Sequence, residues 1–88
     1  MYKHWFELIL DYLEDRARRL AELRFRNHPD LRLDVDIRSE VDRVVTFLVP
    51  ADIPAESRSG VKRRLIALRD QGEFPRSNAK LEEIINKL

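Results

Sequence analysis

The 88-residue chain contains no cysteine, two histidines, two glycines and four prolines. Without cysteine there is no disulfide and no thiolate metal site. His4 and His28 alone are too few for an imidazole metal site. Gly60 and Gly72 stand far apart, so no glycine-rich phosphate loop is present. No apolar run approaches the roughly 18 residues of a membrane span. The segment Met1 to Glu7 is apolar only in short stretches broken by charge, and it does not read as a signal peptide. The lack of an export signal and of cysteine points to the cytoplasm. An excess of one charge is missing too: 17 Lys and Arg stand against 16 Asp and Glu, a formal net charge of +1. No global field therefore draws the chain to nucleic acid or to an acidic membrane.

What is present is a core-forming fraction of 43% hydrophobic residues under 38% charge. The length suits a single domain spanning residues 1–88. A chain this short buries only about 60–65% of its unfolded surface, so oligomerisation is the natural source of extra stability.

Tyr2 to about Arg26 reads as one long helix. On a 100° projection Tyr2, Phe6, Ile9, Leu10, Leu13, Ala17, Leu20 and Ala21 fall within about 60° of one line, and Leu23 lies further round. Glu14–Arg18, Asp15–Arg19 and Glu22–Arg26 are acid-before-base pairs, each adding roughly 0.2–0.5 kcal/mol to a helix. Asn27 and Pro29 supply a stop.

Leu31, Leu33, Val35 and Ile37 alternate with Arg32, Asp34, Asp36 and Arg38, the pattern of a half-buried strand. Asp42 to Val49 is rich in β-branched residues and also reads as a strand. An antiparallel register setting Leu31 opposite Val49, Leu33 opposite Phe47, Val35 opposite Val45 and Arg38 opposite Asp42 gathers the apolar side chains on one face. A shifted register, Val35 opposite Val44 and Asp34 opposite Val45, does so less well. The three-residue loop lacks the glycine usual in such hairpins. Asp52-Ile53-Pro54 offers a helix start, and a helix with Val61, Leu65 and Leu68 on its apolar edge runs to about Gln71, ended by Gly72. Ser77 caps a last helix carrying Leu81, Ile84, Ile85 and Leu88. The expected fold is α+β: a long N-terminal helix, an antiparallel β-hairpin and two C-terminal helices, in the order α-β-β-α-α.

Chemistry finds little support. Asp34 and Asp36 could share a cation or a proton, but Arg32 and Arg38 flank them and a solvated strand face is the simpler account. His4 and His28 have no nucleophile at a recognisable spacing, and no serine sits in a G-x-S-x-G elbow. The sequence therefore predicts no enzyme, no cofactor, no metal and no evident small-molecule substrate.

Two surfaces suggest binding. Trp5, Leu8 and Tyr12 form a second apolar line on the first helix, continued by Leu23. A surface helix needs one apolar face, so a second one packs on the rest of the chain or on another chain. The strand 42–49, apolar on both faces, points the same way, because pairing hairpins across a two-fold axis would cover its edge. The leading expectation is a non-enzymatic interaction module, an adaptor, assembly or regulatory subunit, binding itself as a homodimer, a larger protein, or both. The alternative is a nucleic-acid-binding regulator. Residues 58–80 resemble the outline of a helix-turn-helix and carry Arg58, Lys62, Arg63, Arg69, Arg76 and Lys80. Against it, Glu82 and Glu83 lie on the would-be recognition helix, and the turn from Gly72 to Arg76 is too long.

Overall fold

The computed structural model describes residues 3–24 and 31–88, with side chains in the second stretch from Leu33 onward. Four α-helices make up the fold: α1 (Trp5–Arg24), α2 (Leu31–Val45), α3 (Ala55–Gln71) and α4 (Asn78–Lys87). Short 3-10 turns at Pro50–Asp52 and Pro75–Ser77 lead into the last two. The described residues contain no strand.

The α+β expectation is thus overturned: the segment read as a β-hairpin is helix α2 and the turn after it. The apolar residues of this segment satisfy two periods at once. Leu31, Leu33, Val35 and Ile37 alternate, but Leu33, Ile37, Val41, Val45 and Leu48 also recur at three- and four-residue spacing. The helical period wins. Ile37, Val41, Val45 and Leu48 are buried and Leu33 packs on the core, whereas Val35, which the strand would bury, is 59% exposed. Asp34 pairs with Arg38 at 2.5 Å, one helical turn on. A lone two-stranded hairpin leaves two unpaired edges, while a helix satisfies its backbone internally. Packing therefore overrides the β-branched composition. The argument for a dimer through hairpin edges falls with the strands.

The first helix begins at Trp5; the expected start at Tyr2 and end at Arg26 lie outside the described residues. The Glu7 carboxylate accepts a hydrogen bond from the His4 backbone N–H at 3.3 Å, half of a capping box. Its buried line is Phe6, Leu10, Leu13, Ala17, Leu20 and Leu23. The expected Glu14–Arg18 and Asp15–Arg19 pairs are rearranged, and the Glu22–Arg26 pair involves a residue outside the described ones. Asp15 binds Arg16 and Arg18, Glu22 faces Arg19, and Glu14 leaves its own helix to bind Arg64. The proposed stop at Asn27 and Pro29 lies outside the described residues. Asp52 is not the cap of α3. It sits in the 3-10 turn, and Pro54 occupies the position before Ala55. Gly72 does end α3, with φ of 71°, in the left-handed region that glycine enters without steric cost. Ser77 precedes α4, but its hydroxyl donates to Asp42 on α2 and accepts no capping hydrogen bond from its own helix.

The helices alternate in direction. The starts of α1 and α3 lie together, where Phe6, Glu7 and Leu10 meet Ser57, Gly60 and Val61. Their ends lie together where Ala17 and Ala21 approach Gln71. Tyr12 lies beside Glu40 and Arg43, so α2 returns antiparallel along α1. The last helix packs against α3, with Arg69 bound to Glu82 at 2.6 Å, and reaches α2 through Ser77 and Lys80 to Asp42. A single core runs between them, with Leu10, Leu13, Val41, Val45 and Leu65 wholly enclosed. Each such side chain contributes roughly 1.5–3 kcal/mol by leaving water.

Candidate interaction surface

The large apolar side chains left exposed among the described residues are Trp5, Leu8, Val35, Phe47 and Val49. Four of the five gather at one end of the fold. Trp5 and Leu8 begin α1, at 40% and 56% exposure, and Phe47 and Val49 follow the end of α2. Because α2 runs antiparallel with Glu40 and Arg43 beside Tyr12, one turn back along α1 and one turn forward along α2 bring Leu8 and Phe47 to the same end. The Phe47 N–H donates to the Val44 carbonyl at 3.0 Å, continuing the helical sense past Val45. The Phe47 side chain is 63% exposed. Trp5 is held edge-on to buried Phe6, ring centroids 5.6 Å apart.

Tyr12, placed by the sequence in the same apolar line, is half-buried and packs on the core, with the Arg16 guanidinium 5.7 Å over its ring. Its hydroxyl is shut off from solvent beside the Glu40 carboxylate without reaching hydrogen-bonding geometry. Burial, and then that carboxylate, push the phenol pKa up to about 12. Leu23 is 7% exposed and belongs to the core, so the second line of α1 ends at Tyr12.

The basic residues of 58–80 do not form one free surface. Arg58 donates to the Ile53 carbonyl at 3.0 Å, Arg69 binds Asp70 and Glu82, and Lys80 stands 3.8 Å from Asp42. Arg64 bridges to α1, donating to Glu14 and Asp11, chiefly Glu14, and both hold its pKa above the usual guanidinium value. Lys3 and then Arg64 hold the Asp11 carboxyl below its usual value. Lys62, Arg63 and Arg76 keep exposed side chains without an ion pair, the first two within α3 and the third in the turn beyond it.

The groups considered for chemistry stay apart. Asp34 is tied to Arg38 and Asp36 is exposed, and on a helix residues two apart point about 200° from one another. No cluster of three potential metal ligands occurs among the described residues. His4 stacks on Phe6, its ring 5.2 Å away, and His28 lies outside the described residues.

Three features are not legible from the sequence reading above. The strand pattern puts Phe47 in a strand interior, and nothing local marks it as exposed once α2 ends at Val45. Val35 had a signal, since a helical projection of 31–45 sets it about 160° from Ile37. Glu73, read only as a turn charge, is 3% exposed. Arg24 of α1 pairs with its carboxylate, and Arg38 of α2 donates to its backbone carbonyl, so the α3–α4 turn is tied to both earlier helices.

No helix among the described residues is long and apolar enough to cross a membrane. Comparison with protein families, curated proteins and solved structures finds no match to this chain.

Proposed function

We propose that this chain is a non-enzymatic, cytoplasmic protein-interaction module, acting as an adaptor, assembly or regulatory subunit through the α1–α2 end that carries Trp5, Leu8 and Phe47. The observation that carries this reading is the exposure of three large apolar side chains, each at least 40% exposed, two at the start of α1 and one just past the end of α2. Exposed apolar residues scattered singly are ordinary; a contiguous aromatic and aliphatic patch marks a contact surface, and tryptophan is prominent among residues that dominate binding energy. Nucleic-acid contact is the weaker reading. Arg69 and Lys80 face carboxylates and Arg58 a carbonyl, leaving only Lys62, Arg63 and Arg76 to meet phosphates without first breaking a contact.

The test is a Trp5→Ala, Leu8→Glu double variant. Tagged wild type should capture its partner from host extract in the presence of nuclease, and the variant should lose that partner. Its helical circular dichroism and melting temperature should stay close to wild type. An unfolded variant would mean that the patch is core, and capture that vanishes with nuclease would move the reading to nucleic acid.

A further inference from the structure

We propose that the recess between the C-terminal half of α1 and the end of α3 binds a small zwitterion, by class a free α-amino acid. Glu73 receives its ammonium group, and Arg18 and Arg24 receive its carboxylate. The site lies toward the opposite end of α1 from Trp5 and Leu8 and does not depend on the interaction reading.

The recess has room for such a ligand. Its volume is about 450 Å³, within the about 300–1,000 Å³ usual for small-molecule sites. Ala17 and Ala21, one turn apart on α1, form its floor opposite Gln71 and Glu73. Their short side chains leave the space open.

The acceptor is Glu73, which lines the recess and is 3% exposed. Arg24 pairs with its Oε1, while its Oε2 has no hydrogen-bond partner. A carboxylate taken out of water is stable when both oxygens meet donors, so this one calls for a further donor. Arg38, the other cation at this turn, spends its contacts on Asp34 and on the Glu73 backbone carbonyl. The torsion of a terminal carboxylate is broad and two-fold, so Glu73 can divide its oxygens between Arg24 and an ammonium entering the recess.

The donors are Arg18 and Arg24. A guanidinium carries several N–H groups. Arg18 has only Asp15 as an ion-pair partner and Arg24 only Glu73, and their side chains are 70% and 62% exposed. Both keep N–H groups for a ligand carboxylate. Glu14 does not compete for them, because both of its oxygens are taken by Arg64. A buried acceptor, two cationic donors and an apolar floor together complement an ammonium, a carboxylate and a side chain.

Titration of the isotope-labelled full chain with each common free amino acid, followed by two-dimensional NMR of the backbone amides, tests this. At least one amino acid should give saturable shifts centred on Ala17, Ala21, Gln71 and Glu73. The amine and the carboxylic acid that keep its side chain but carry one charge should each bind about tenfold or more weakly. Glu73→Gln should weaken binding by a similar factor, because an amide offers the ammonium no charge. Ala21→Leu keeps every charged group and fills the floor, and it should abolish binding. Helical circular dichroism checks that both variants fold; if Glu73→Gln does not, Ala21→Leu decides. Shifts with no amino acid, shifts centred elsewhere, or binding that survives Ala21→Leu overturn the site. A single-charge analogue that binds as tightly as the amino acid overturns the ligand class.

Discussion

A single hydroxyl shows how this fold spends polar groups. The Tyr12 oxygen is buried against α2 with no hydrogen-bond partner, and burial with the nearby Glu40 charge lifts its pKa from 10.0 to about 12. The sign follows from proton linkage. Between those values the folded state holds a proton that the unfolded state releases, so stability falls as pH rises through the window. Below pH 10 the contribution is complete. We therefore expect Tyr12→Phe to be neutral or slightly stabilising at pH 7, since it removes an unsatisfied buried group. It should also flatten part of the fall in melting temperature between pH 10 and 12, which thermal denaturation across that range will check. A Phe variant markedly less stable than wild type at pH 7 would mean that the hydroxyl has a partner.

The element that most changes the picture is α2. Its composition is strand-like and its burial is helical, and one substitution separates the two. Ser39 would sit in the loop of a hairpin, where proline is tolerated, but it is exposed in the interior of α2. There proline removes a backbone hydrogen bond and its ring meets the preceding turn, at a cost of about 3 kcal/mol or more. For an 88-residue domain with total stability of about 5–15 kcal/mol, that loss is severe. Ser39→Pro should lower the urea midpoint strongly or unfold the chain, whereas Ser39→Ala should change it little. Equal midpoints for the two would argue for the hairpin.

At the scale of the whole molecule, binding through the exposed patch would couple folding to association. A ligand that binds only the folded state stabilises it by mass action. The melting temperature of wild type should therefore rise when the protein captured through Trp5 and Leu8 is added, while that of the Trp5→Ala, Leu8→Glu double variant should not. Differential scanning calorimetry with and without that protein measures both. An equal rise in the two would count against the patch.

The sequence by itself determined whatever depends on local spacing and local stereochemistry. The core stripe of α1 from Phe6 to Leu20, the buried edge of α3 at Val61, Leu65 and Leu68, the left-handed stop at Gly72 and the apolar line of α4 all lie where the periodicity places them. The exposure of Trp5 and Leu8 was legible for the same reason, because a helical projection leaves them off the core line. Tertiary structure decided the rest. Residues 31–48 satisfy a period of 2 and a period of 3.6 together, and only the presence of α1 and the α3–α4 turn beside them made the helical face the one that could be buried. Leu23 became core, Tyr12 became half-buried, and Phe47 became exposed through that same choice. The ion pairs went the same way. Glu14 and Arg69 found partners on other helices, and no one-dimensional spacing rule carries the geometry that brings those helices together.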